Sequence, residues 1–451
     1  MRDLYISAIY FSFLLIGPIA PFVFALGYIW TDTFSPQLAT DLLATVPVSL
    51  IMGVATILGY VVLDRRSPPR LTAATVLTLL FAIWVTLTLL WAVAPEAALE
   101  KWNWAFKTLV FSAFIPFFIR SRIQIEAFLS VYVFALVVQF MPTGIKTIFS
   151  GGGYGAQLGV EAGNSGLAEG GALATVSLMA VPLLLFLRAH GQLVPKWPFR
   201  SWLYLGVVVA ALLAAVGTYE RTALIGLAVV GGWGWLKSRR KILFGLGGIA
   251  AVALILAVTS QRWDRRMSTI ETYQSDSSAM VRLLVWKWTL NFVGSHPFGG
   301  GFNAYVVDEI DFPGDPAHPA PIVQRGRAFH NIYFEVLGEH GYVGIAIFLS
   351  LIATTFASLM RIARKSRGVA ELAWCRDLAN ALQVSLLVVL TCGCFIGIAF
   401  QPVLYYLFAA TVCLKEWVRR ALKEESRRRR PAYGAPVEGR SVLTRAEAAS
   451  R

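Results

Sequence analysis

The sequence predicts an all-α polytopic membrane protein, with about twelve membrane-crossing helices and one large external loop that contains short helices. Three observations carry that expectation. Hydrophobic residues make up 57% of the 451 residues and charged residues 15%, and the mean hydropathy is +0.62. Soluble domains are nearer half apolar and a quarter charged. Apolar runs of roughly 17 to 25 residues recur, the length that crosses a hydrocarbon core of about 30 Å as helix. A single long polar stretch, 260–340, interrupts them.

The runs lie near 5–29, 40–63, 71–93, 102–119, 124–142, 171–189, 201–218, 222–236, 242–259, 341–360, 380–400 and 403–420. The eighth is short and the fourth contains Lys107. The first is too long for a secretory signal and has no small-residue cleavage site, so no cleaved leader is expected. The chain therefore divides into a first helical region (1–259), the external loop (260–340), a second helical region (341–420) and a basic, disordered tail (421–451). No internal repeat is evident.

Charge orients this arrangement. Basic clusters at 64–70, 120–122, 188–200, 237–241, 361–376 and after Val418 hold most of the 40 lysines and arginines. They share one face if twelve helices alternate, and an excess of Lys and Arg marks the cytoplasmic face. Both termini are then cytoplasmic and the long loop faces the other way, into the periplasm if the source is a Gram-negative bacterium. The net charge of +14 suits anionic lipid headgroups rather than nucleic acid. Cys375 falls on the cytoplasmic side, and Cys392, Cys394 and Cys413 fall in the last two helices, so no disulfide holds the loop. Cys392 and Cys394, in apolar surroundings, read as packing residues.

The loops contain the polar chemistry. The glycine-rich stretch 143–170 reads equally as backbone lining a cavity or as a flexible edge loop. It lacks the lysine and the strand-to-helix setting of a phosphate loop. In the main loop, 277–293 is aromatic and helix-compatible, and Arg282 and Lys287 suit it to the membrane interface. Ser295, His296 and Pro297 break that helix, the glycines 299–301 permit a tight turn, and 312–321 is proline-rich and irregular. A second helix starts near His330 or Asn331 and runs to Gly341.

Several residues there could handle anions or protons. Arg221, just before the eighth run, either snorkels or holds an anion, and Glu220 could pair with it. Arg282 interrupts an apolar helix face and needs a carboxylate, a backbone acceptor or a phosphate. Arg325 and Arg327 add positive potential upstream of His330, although their loop-like flanks also fit solvated charge. His330 has the unperturbed pKa to take a proton from a hydroxyl near neutral pH. His296, His318 and His340 have weaker claims, with His296 serving the turn. No metal and no cofactor is expected: Asp308, Glu309 and Asp311 have no histidine at ligand spacing, and the first external loop offers only Asp32.

Taken in order, the motifs Tyr219-Glu220-Arg221-Thr222, Arg282 followed by His296-Pro297-Phe298-Gly299-Gly300-Gly301, and His330-Asn331-Ile332-Tyr333-Phe334-Glu335 ahead of Glu339-His340-Gly341 resemble the O-antigen ligase superfamily. That group also holds O-antigen polymerases and O-oligosaccharyltransferases. The resemblance runs from about Gly163 to Ile352, and the opening residues and length look most like the branch of O-glycosylation ligases associated with exosortase systems. It implies a GT-C-like ligase architecture and metal-independent transfer of a glycan from undecaprenyl diphosphate, on the periplasmic face, to lipid A core, a protein or another glycan. It places the base on His330 and the diphosphate-binding arginines on Arg221 and Arg282, with Asn331, Arg325 and Arg327 as further substrate contacts. Two departures stand out. Glu220 replaces the serine more usual before the first arginine, and both Asn164 and Glu169 could answer the asparagine common at the start of the sixth helix.

A flippase or transporter for lipid-linked sugars is the competing class, and a structural assembly subunit is a third. A transporter would place ionisable residues deep in several helices, where Lys107 is the main one visible.

Overall fold

The computed structural model describes residues 1–64, 68–150, 169–238, 240–242, 277–312 and 322–429. The ninth run, Asn164, His318 and most of the basic tail lie outside the described residues. The described helices are α1 (Arg2–Ile16), α2 (Phe22–Phe34), α3 (Val48–Leu58), α4 (Ala73–Leu87), α5 (Pro95–Phe118), α6 (Arg122–Ser150), α7 (Gly170–His190), α8 (Arg200–Gly217), α9 (Arg221–Lys237), α10 (Ser277–Ser295), α11 (Ile332–Lys365), α12 (Ala373–Cys392) and α13 (Pro402–Arg429). One antiparallel ribbon, β1 (Glu309–Phe312) with β2 (Ile322–Arg325), stands in the large loop.

Six described segments are long and apolar enough to cross a membrane: Ala73–Trp91, Arg122–Phe149, Gly170–His190, Arg200–Gly217, Ile332–Lys365 and Ala370–Cys392. Other expected spans fall short for visible reasons. Helix α5 opens with Glu96, Glu100, Lys101 and Lys107, and α9 has 17 residues. Helix α7 is the axis of the bundle, with 94% of its apolar window buried. Helices α6, α8, α9 and α12 pack around it. Its length, about 30 Å by helical rise, separates two chemically different ends.

One end gathers the basic turns. Arg122 stacks on Trp374 at 4.9 Å, His190 meets Asp377 at 3.0 Å, and Arg200 donates to the carbonyls of Gly191, Val194 and Arg188. Arg420, late in α13, donates to the Arg120 carbonyl at 2.8 Å. Glu126 accepts the backbone N–H groups of Gln192 and Leu193. The opposite end carries Glu169, the start of α9 and His330.

Three expectations need correcting. The run 5–29 is not one helix: α1 and α2 are separated by residues 17–21, because Pro18 and Pro21 cannot donate to a continuous helix. The chain doubles back there. Arg2 and Leu38 line one cavity, and Leu38 lines a second with Gln401, so the N-terminus stands at the His330 end and not beside Arg420. The run 380–400 also ends early, at Cys392, and residues 393–401 are largely non-helical. The helix expected from His330 or Asn331 to Gly341 and the span expected from 341 are both present, as the two parts of α11 that meet at the Gly341 kink.

The doubled-back start gives a topology test. In a variant without native cysteines, an impermeant thiol reagent is expected to label Arg2→Cys and Phe298→Cys from the same side of the membrane. Labelling from opposite sides would exclude the hairpin.

Candidate functional site

The site is assembled around the kink in α11. Gly341 has φ +64°, a left-handed conformation suited to glycine, and an added Cβ would collide with the Pro297 carbonyl oxygen. The kink frees carbonyls that the glycine turn takes up. Gly300 donates its N–H to Gly338 and Gly301 to Glu339, while Tyr342 donates to Pro297. The turn and the helix therefore form one unit.

Below this turn lies a buried ion cluster. Lys101 Nζ donates to Glu335 Oε1 at 2.7 Å and to Glu339 Oε1 at 2.7 Å. Glu339 is fully buried and also accepts the Asn303 N–H at 2.8 Å, and Glu335 Oε2 accepts the Ala399 N–H at 3.0 Å. Every charged group in the cluster has a partner, as a buried charge requires. His340 is fully buried too, with Nδ1 2.9 Å from Thr88 Oγ1 and its ring edge-on to Phe302 and Phe400. That is a packing role.

Asn331 caps α11: its Oδ1 accepts the N–H groups of Tyr333 and Phe334, and its Nδ2 donates to the Cys394 carbonyl. Both ends of the amide are thus committed to backbone, and the residue is 5% exposed. It shapes the helix start, in place of the substrate contact expected from sequence. His330 precedes it with φ +46°, a conformation rare for a bulky residue. Beside it, Trp286 of α10 donates to the Phe329 carbonyl at 2.9 Å and stacks on Phe334 at 5.1 Å. These contacts fix α10 against the His330 loop.

Arg282 lies one turn before Trp286, and its Nε is buried without a hydrogen-bond partner among the described residues. Burial, the Arg282 charge and, more weakly, Arg327 push the His330 imidazole below its usual range, against the pull of Glu335. His330 Nδ1 stands 3.6 Å from Glu169 Oε1. Burial and repulsion from Glu220 raise the Glu169 carboxyl, although Arg282 opposes them. Glu220 stands at the N-cap of α9, and Arg221 is the first residue of that helix. The α9 start is close to Glu169, because a Cβ on Gly171 would meet Thr222 Oγ1 at 3.6 Å. Tyr219, at φ +51°, turns the chain into it.

The other expected residues are placed differently. Arg325 pairs with Glu309 across the ribbon, with 72% of its side chain exposed. Arg327 is exposed, and its backbone N–H donates to Asp308 Oδ1 at 3.0 Å. His296 is exposed in the turn, stacked on Phe292. Sequence reading missed Lys101, Glu335 and Glu339. Their signal was present, since carboxylates one helical turn apart at the edge of an apolar run are unusual in a membrane segment.

Comparison with known families fits this geometry. Residues 205–349 match the model of the O-antigen ligase family. This segment, about a third of the chain, is similar to that family. It contains Arg221, Arg282 and His330. Residues 1–192, which supply Lys101 and Glu169, match a family of unknown function. No curated protein matches the chain. The segment that this model matches therefore meets Lys101 and Glu169 from outside its own bounds.

The lowered His330 pKa keeps the imidazole neutral to more acidic pH than an unperturbed histidine, so an activity that uses it as a base is expected to persist below the ordinary histidine range. Removing a neighbouring cation raises that pKa. Arg282→Gln should move the acidic limb of kcat/KM upward, and Arg327→Gln should move it less. A limb that stays fixed or moves downward in both variants would contradict the arrangement.

Proposed function

We propose that the protein transfers a glycan from an undecaprenyl-diphosphate carrier to an acceptor hydroxyl on the periplasmic face of a bacterial inner membrane. The observation that carries the reading is His330, held in a left-handed turn within the field of Arg282, whose Nε has no hydrogen-bond partner among the described residues, inside the segment that the O-antigen ligase model matches. The segregated basic turns support the orientation, because such turns favour the cytoplasm.

In the proposed step the acceptor oxygen attacks the anomeric carbon of the donor sugar. The bond from that carbon to the phosphate oxygen breaks, and undecaprenyl diphosphate leaves with the bonding pair. The hydroxyl proton passes to His330. The tautomer protonated on Nδ1 faces Glu169 and leaves the lone pair on Nε2, where a base needs it. Closure of the 3.6 Å separation would make Nδ1–H···Oε1 a hydrogen bond that steadies the imidazolium. Arg282 and Arg221 act on the leaving diphosphate, whose charge grows in the transition state. A fixed guanidinium there stabilises the transition state more than the ground state. Lipid A core, protein and glycan acceptors all present the hydroxyl this step needs.

The test is transfer in a strain lacking the gene, complemented with variants checked for membrane abundance. His330→Asn suits it better than alanine, because asparagine tolerates the left-handed backbone. Loss of the base should reduce transfer by about 10²–10⁴-fold, and Arg282→Gln by about 10²–10³-fold. Lipid-linked glycan should accumulate on the periplasmic leaflet. Normal transfer by abundant His330→Asn protein would refute the proposal, and accumulation on the cytoplasmic leaflet would favour a flippase.

A further inference from the structure

A cavity of about 320 Å³ opens beside His330, and its chemistry differs from that of the arginine side. His330 lines it together with Lys101, Trp104, Tyr305, Glu335 and Gln401, whereas Arg221 and Arg282 do not. Its cation does not make it an anion site. Lys101 is bonded to both Glu335 and Glu339, so the floor carries one positive group against two carboxylates. A phosphate would be repelled there.

What remains suits a polyol. Trp104 and Tyr305 supply flat rings for the C–H face of a sugar, and His330 and Gln401 add polar groups to the same lining. The volume is at the small end of ligand clefts, roughly 300–1,000 Å³. Trp104 and Gln401 also line an adjoining cavity of about 200 Å³, whose walls include Thr31, Asp32 and Thr108. The polar path thus continues away from His330.

We infer that the cavity beside His330 is an acceptor subsite that takes a neutral hexopyranose ring, with Trp104 as its stacking platform. This rests on the transfer reading above and narrows it, because the accepting hydroxyl then belongs to a saccharide. It also gives work to the segment 1–192, which supplies Lys101 and Trp104.

The experiment is saturation-transfer NMR of the full-length protein in nanodiscs, with methyl hexopyranosides of glucose, galactose, mannose and N-acetylglucosamine as probes. At least one is expected to bind to wild type and to His330→Asn, and to weaken about tenfold or more in Trp104→Ala. Trp104→Phe should restore most of that binding, and a Trp104→Ala protein that elutes and melts as wild type does excludes misfolding as the cause. The inference is overturned if no hexoside binds, if Trp104→Ala binds as wild type does, or if a serine-rich peptide displaces the hexoside and loses affinity in Trp104→Ala. Failure of the transfer reading itself looks different: it would show as normal glycan transfer by His330→Asn, whatever the hexosides do.

Discussion

The structure depends on one buried ion cluster. Lys101 comes from α5, Glu335 and Glu339 from α11, and the same carboxylates hold the backbone N–H groups of Ala399 and Asn303. Four separate stretches of chain meet at these three side chains. Removing one member of such a group leaves an uncompensated buried charge, at a cost of about 3–5 kcal/mol. The cluster therefore fixes geometry more than it adds net stability. His330 lies five residues before Glu335, and the glycine turn is laced to the carbonyls of Gly338 and Glu339.

That rigidity explains how the site can hold unfavourable features. His330 and Tyr219 both have positive φ, and Arg282 keeps a buried Nε without an acceptor among the described residues. A fold tolerates such features only where neighbouring contacts over-determine them. The Trp286 bond to Phe329 and the Asn331 cap do this on either side of His330. A neutral imidazole beside a guanidinium, with Glu169 behind it, combines a proton acceptor with a positive field. Chemistry that separates a proton from a growing diphosphate charge needs both.

Much of this was legible in the sequence. Composition and run length pointed to the helical membrane class, and the order of the three motifs pointed to the ligase superfamily that residues 205–349 match. The helix at 277–293 was visible as an aromatic stretch with two cations, and the structure has it as α10. What the sequence concealed was long-range. Pro18 and Pro21 could have been a kink within one span, and only packing shows a hairpin. Lys101 is far from its carboxylates along the chain, with a sequence separation of 234 to Glu335, so periodicity could not pair them. Asn331 read as a ligand because its motif stands beside His330, whereas its amide is needed to start α11.

The most direct test of the account is a structure of the full-length protein with undecaprenyl diphosphate bound. The diphosphate is expected between Arg282 and Arg221, with a phosphate oxygen within hydrogen-bonding distance of the Arg282 Nε and the cavity beside His330 left open. A diphosphate seated against the basic turns around Arg120 and Arg200, or in the cavity beside Lys101, would contradict it.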